Sequence, residues 1–121
     1  MKILVAEDEP MLLKTIELKL KKEGYEVIAL PDGRDALAQL EKEMPDLIIT
    51  DIMMPYVSGL EIINFVRQKM NMKTPIIMLS AMEQEKVVME AFELGADDYI
   101  TKPFSLNELA IRVKRLAVRK V

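Results

Sequence analysis

The 121-residue chain contains no cysteine and no histidine. Without cysteine there are neither disulfides nor thiolate metal sites. Without histidine the commonest general base and the commonest transition-metal ligand are both missing. Any bound metal must therefore be held by oxygen, which points to magnesium (Mg2+) or a similarly hard cation. Long apolar runs are missing too: none approaches the roughly 20 residues needed to span a bilayer. No secretory leader precedes the first apolar stretch, Ile3-Leu4-Val5-Ala6, so a cytoplasmic protein is expected. Nor is there an excess of positive charge. A net charge of −3 and a pI near 5.1 argue against a nucleic-acid surface on this domain.

What is present is a globular composition, half hydrophobic and 31% charged, in a chain long enough for one domain, residues 1–121, with a proper core. The ten methionines read as core and loop filling. Lys2 to Ala6 is a first strand, and Glu7-Asp8-Glu9-Pro10 follows it. Asp8 or Glu9 can cap the next helix, and Pro10 suits its first turn. That helix runs to about Glu23, where Gly24 stops it. Tyr25 to Leu30 is a second strand, and Pro31-Asp32-Gly33 is turn chemistry. Ala36, Leu37 and Leu40 mark a second helix ending before Pro45. Leu47-Ile48-Ile49-Thr50-Asp51 is an unbroken run of the kind a strand buried on both faces shows, and Pro55 bars an immediate helix. Ser58-Gly59 opens a third helix with Leu60, Ile63, Val66 and Met70 on its inner side. Ile76 to Leu79 is a fourth strand ending at Ser80-Ala81, and a fourth helix runs from about Glu83 to Leu94. Tyr99 to Thr101 is a short fifth strand. Ser105 caps a fifth helix, with Glu108 completing a capping box, and the basic tail Arg115 to Val121 reads as its end.

Strands alternating with helices in this way imply an α/β domain: a doubly wound parallel sheet, helices on both faces, right-handed crossovers. Parallel strands present their carboxyl ends at one edge, and open α/β folds place their chemistry there. That edge would hold Glu7, Asp8, Asp51, Ser80 and Lys102. Three clustered carboxylates repel: at about 4 Å each like-charged pair costs roughly 4 kcal/mol at an effective dielectric of about 20. A divalent cation relieves the repulsion. A metal, a lysine and a hydroxyl around one carboxylate form a cradle for a phosphoryl group, with Asp51 as nucleophile. Each residue alone has a plainer reading: helix N-terminal charge for Glu7 and Asp8, a loop cap for Asp51, a strand-end hydroxyl for Ser80, a surface lysine for Lys102, a half-buried ring for Tyr99. The order in which they occur together favours the site.

Glu7-Asp8, Asp51-Ile52-Met53-Met54-Pro55, Leu79-Ser80-Ala81 and Asp97-Asp98-Tyr99-Ile100-Thr101-Lys102-Pro103-Phe104 resemble the receiver domains of two-component response regulators. The last motif is similar to the OmpR/PhoB subfamily, whose members usually carry a DNA-binding domain after the receiver; on that resemblance an effector domain is expected beyond these residues. The resemblance implies a single (βα)5 flavodoxin-like domain with strand order 2-1-3-4-5. It implies that Asp51 accepts a phosphoryl group from a sensor histidine kinase. Asp8, Asp51 and the backbone carbonyl of Met53 would bind Mg2+ directly, and Glu7 through a water. Most members have aspartate where this chain has Glu7. Ser80 and Lys102 would contact phosphoryl oxygens, Tyr99 would be an aromatic switch, and Lys102-Pro103 a cis peptide. Met53 and Met82, flanking the pocket, offer no acid or base to assist water, so slow loss of the phosphoryl group is expected.

The competing reading is a magnesium-dependent aspartyl-phosphate phosphohydrolase. Such an enzyme needs a second acid, commonly two residues after the nucleophile, and that position is Met53, which cannot move a proton. A binding module that is never phosphorylated would be expected to lack Asp51, Asp8 or Lys102, and all are present. For output, Lys86, Glu90, Glu93 and Asp97 follow helical spacing, as do Glu108, Arg112, Arg115 and Arg119. One series is mostly acidic and the other mostly basic, so two copies about a two-fold axis could pair them in a homodimer formed on phosphorylation. The resemblance suggests Asp98 with Arg112 and Glu93 with Lys114, around Met89, Phe92 and Ala110. Glu108 commonly faces a basic residue at a position that here is Val88, so that pair is expected to be missing. The alternative is solvated helix faces with ion pairs inside one chain, each worth about 0.2–1 kcal/mol.

Overall fold

A computed structural model describes residues 1–81 and 85–119. Five strands, β1 (Lys2–Ala6), β2 (Glu26–Leu30), β3 (Leu47–Asp51), β4 (Ile76–Ser80) and β5 (Asp98–Thr101), pair in parallel in the order 2-1-3-4-5. The helices between and after them are α1 (Pro10–Lys22), α2 (Gly33–Lys42), α3 (Gly59–Asn64, continued by a π-helical turn over Phe65–Lys69), α4 (Glu85–Leu94) and α5 (Leu106–Arg119). The architecture is the expected doubly wound, flavodoxin-like one.

The unbroken apolar runs of β1, β3 and β4 are explained by burial on both sheet faces, with alternate residues assigned to opposite layers. Leu4, Ile48, Ile76 and Met78 pack with Ala36, Leu40, Ile62, Ile63 and Ala91, beneath α2, α3 and α4. Ile3, Val5, Ile49, Ile77 and Leu79 pack with Ile16, Leu20, Leu109 and Val113, beneath α1 and α5. β2 is at one edge, and only half-buried from Val27 to Leu30. Register aligns the strand ends: Ala6 lies beside Thr50, Asp51 beside Leu79 and Ser80 beside Thr101. The residues just past each strand therefore collect at one rim.

Several boundaries differ from the sequence expectation. Glu9 occupies the N-cap position of α1, but no side chain caps that helix; its backbone carbonyl receives the Leu13 N–H at 2.9 Å. Tyr25 precedes β2, and β5 begins one residue early at Asp98. The inner face of the third helix includes Ile62 and Phe65 as well as the expected Ile63 and Val66. Its last turn is π-helical, which the apolar spacing did not signal. The Ser105 hydroxyl receives the Glu108 N–H at 3.0 Å, yet the Glu108 carboxylate turns to Arg112, so only half of the capping box forms. Met82, and the expected start of the fourth helix at Glu83, lie outside the described residues, as do residues 120 and 121 and the side chain of Arg119.

Candidate phosphoacceptor site

Asp51 ends β3 and is almost fully buried, at 6% exposure. Two close approaches hold its backbone. The Thr50 hydroxyl donates to its carbonyl oxygen at 3.0 Å. Gly59, the first residue of α3, sits so near that an added Cβ would lie 2.2 Å from the same oxygen, so only glycine lets α3 start there. The Gly59 N–H donates to the Ile52 carbonyl at 2.8 Å, closing the loop between β3 and α3. Within that loop the Met53 N–H points to Asp51 Oδ1 at 3.4 Å.

Glu7 follows β1, whose edge it extends by donating its N–H to the Leu30 carbonyl at 3.1 Å. Its side chain is fully buried, and Oε2 accepts the Glu9 N–H at 3.0 Å. Lys102, just past β5, is fixed by its own N–H donating to the Ser80 carbonyl at 2.8 Å. Its Nζ lies between two carboxylates, 2.7 Å from Asp51 Oδ2 and 2.8 Å from Glu7 Oε1. The Asp51 contact is a well-formed hydrogen bond, whereas Glu7 Oε1 is held by charge without an aligned donor. Burial raises the Glu7 carboxyl above its ordinary range; Lys102 and the Glu9 amide oppose this, and the neighbouring Asp51 charge adds to it. Burial works against the Lys102 ammonium but is outweighed by its contacts with Asp51 and Glu7, so it is held above its usual value.

Asp8 is exposed, and Glu7, Asp8 and Asp51 each offer a carboxylate oxygen within 4.8 Å of the others. An all-oxygen donor set of this charge, two of its members buried, fits a hard divalent cation. The sequence-predicted residues Glu7, Asp8, Asp51 and Lys102 are thus brought together. Ser80 is buried at the end of β4, tied to Lys102 through the backbone. Tyr99 is half-buried against the layer beneath α2, α3 and α4. Lys102-Pro103 is cis, as expected.

The receiver-domain family model matches residues 3–114, nearly the whole chain. The chain belongs to the response regulator receiver domain family. Receiver domains are phosphorylation-activated switches of two-component systems rather than conventional enzymes. Among solved structures, a receiver domain of a Francisella response regulator is 38% identical with a TM-score of 0.92, over 99% of this chain and 98% of that one. The chemotaxis response regulator CheY4 of Vibrio cholerae is 34% identical with a TM-score of 0.87, covering 94% of this chain and 96% of its own. The response regulator TrrA of Thermotoga maritima, determined in complex with Mg2+ and BeF, is 36% identical with a TM-score of 0.84, over 95% and 97%.

On the receiver's α4, β5 and α5 face, Asp98 and Arg112, expected to pair between copies, pair within one chain. Asp98 is buried; its Oδ1 accepts from Arg112 at 2.7 Å and its Oδ2 from Arg115 at 3.1 Å. Arg112 also donates to Glu108 at 3.1 Å. Hydrogen bonding to Asp98 outweighs burial and, with Glu108, raises the Arg112 guanidinium further. Asp97 lies beyond the end of α4 and is not on its face: it receives Arg67 at 3.0 Å and the Ile76 N–H at 2.8 Å. Ala110 is buried, so the exposed apolar patch reduces to Met89 and Phe92 on α4; Glu93 on the same helix and Lys114 on α5 are both exposed.

Reading the sequence alone missed Arg67. It donates to the carbonyls of Gly95, Met72 and Thr74 as well as to Asp97, joining the π-helical turn to the segments entering β4 and leaving α4. An arginine on a helix gives no sign of distant carbonyl partners. The only signal available was Gly95, whose φ of +118° marks the turn that Arg67 packs against.

Proposed function

We propose that Asp51 is the phosphoacceptor of a two-component phosphorelay, taking a phosphoryl group from a phosphohistidine on a sensor histidine kinase. An Asp51 carboxylate oxygen forms the new O–P bond, the P–N bond breaks, and its electron pair leaves with the imidazole. The observation carrying this reading is Lys102 Nζ placed 2.7 Å from Asp51 at the rim where three carboxylates gather. Lys102 and Ser80 neutralise and orient the phosphoryl oxygens, and Tyr99 responds as the aromatic switch. Asp8, Asp51 and the Met53 carbonyl would hold Mg2+ directly and Glu7 through a water; when bound, the ion would offset carboxylate repulsion and the charge on the transferring group. The magnesium-bound form of the Thermotoga relative supports this assignment.

The output belongs to an OmpR/PhoB-like switch: a phosphorylation-dependent homodimer through α4, β5 and α5, acting on transcription through a DNA-binding effector domain. This rests on the Asp97 to Phe104 motif. The phosphoryl group is lost slowly, because the loop residue Met53 offers no base to water.

The test is labelling with acetyl phosphate in the presence and absence of Mg2+. Wild-type protein should be labelled once per chain only with the metal, and Asp51→Asn not at all. Full labelling of Asp51→Asn at another carboxylate would overturn the nucleophile assignment. Sustained turnover of p-nitrophenyl phosphate would favour the phosphohydrolase reading instead.

A further inference from the structure

The loop between β3 and α3 contains an unexplained residue. Tyr56 has φ +72°, a left-handed conformation that a bulky side chain rarely adopts and that glycine or asparagine would accept without strain. The ring is 71% exposed, so burial does not explain why an aromatic stands there. The ring meets Arg34, whose guanidinium carbon lies 4.1 Å from the ring centroid, a cation–π geometry. The backbone of Arg34 is fixed in a capped helix, although its side chain is exposed. Arg34 is in the first turn of α2, which Asp32 caps by accepting the Asp35 N–H at 2.8 Å. The preceding residue, Gly33, touches the same loop through the backbone: an added Cβ there would lie 2.1 Å from the Val57 carbonyl oxygen. On the other side the loop is tied to the site by Met53, hydrogen-bonded to Asp51, and by the Gly59 to Ile52 closure.

We propose that Arg34, acting through the Tyr56 ring, is a positioning residue for the metal site: it fixes the loop that carries the Met53 carbonyl so that this ligand is already in place when the cation arrives. The inference rests on the magnesium reading above. Tyr56 is strained locally and useful remotely, which is where backbone strain is found when it serves a site. Fixing a ligand beforehand removes an ordering cost from binding, so the effect falls on cation affinity more than on the fold.

The experiment is calorimetric titration of Mg2+ into the whole chain, with metal-free melting temperatures measured alongside. Tyr56→Phe keeps ring and contact and should bind Mg2+ as the wild type does. Tyr56→Asn removes the ring but suits the left-handed backbone, and Arg34→Ala removes the cation. Each should raise the Mg2+ dissociation constant by about two- to fivefold, the worth of one exposed cation–π contact. The double variant should be no weaker than either single one. Tyr56→Asn should melt no lower than wild type without metal, which a purely structural role would not give. If Tyr56→Asn and Arg34→Ala bind Mg2+ as tightly as wild type, or their losses add, the positioning role is wrong while the metal site stands. If wild-type protein binds no Mg2+, the magnesium reading fails and this inference with it.

Discussion

At the scale of single residues, Glu7 carries the most specific consequence. Its carboxyl binds a proton more tightly in the folded chain than in the unfolded one, where the ordinary value is 4.5. The folded state therefore holds more protons between that pH and the raised value, and stability is lost as pH rises across that window. Glu7→Gln, studied in chelator, should gain in melting temperature relative to wild type as pH climbs above about 4.5 and show little advantage below it. Equal melting temperatures across that range would mean that Lys102 fully compensates the buried charge. That these side chains would gather at one rim was legible because each candidate residue stands at or just past the end of an apolar-rich strand run. The way Lys102 is shared was not legible: no pattern in the chain says that one ammonium would sit between Glu7 and Asp51, since that depends on strand register. Tyr56 was equally hidden, because a positive φ at a tyrosine runs against local preference.

At the scale of elements, periodicity carried the assignment and tertiary contacts altered the ends. All the strands and helices were legible, since the apolar runs are short, bounded by Gly, Pro and Asp, and alternate with amphipathic segments. The π-helical end of α3 was not: it accompanies tertiary contacts of Arg67, to the Met72 and Thr74 carbonyls and to the distant Gly95 and Asp97, that the apolar spacing does not encode. Arg67 is the largest single anchor among these contacts, and its side chain is mostly buried. Arg67→Ala would leave the carbonyls of Thr74 and Gly95 and the Asp97 carboxylate without this cation. The expected cost is about 2–3 kcal/mol, the worth of a charged hydrogen bond whose partners are left behind. Urea unfolding should report it as a lower midpoint with little change in slope. A loss within error of zero would show that solvent replaces the arginine.

For the whole molecule, the faces read from helical spacing proved to be partly self-satisfied. Asp98 is held by Arg112 and Arg115 of the same chain. A dimer using Asp98 and Arg112 across the two-fold axis must exchange an internal pair for an external one, so most of its free energy has to come from elsewhere, such as the Met89 and Phe92 patch. Sedimentation with a beryllofluoride mimic and Mg2+ should show dimers, and Arg112→Glu should weaken them. Protein that stays monomeric with the mimic at high concentration would end the dimer proposal. A dimer indifferent to Arg112→Glu would end this interface.

The clasp of Arg67 on Gly95 also determines how α4 can move. Its carboxyl end is bolted by two donations to the Gly95 carbonyl, at 3.1 and 2.8 Å. At the opposite end, β4 delivers Ser80 to the rim where the phosphoryl group would arrive. A rod fixed at one end cannot slide; it can only swing. The ten residues of α4 span about 15 Å, so a modest rotation about the bolted end moves Glu85 several times further than Leu94. Spin labels at those two positions should therefore register unequal displacements on activation. Equal displacements would mean that the bolt had come undone, making Arg67 a latch rather than a pivot.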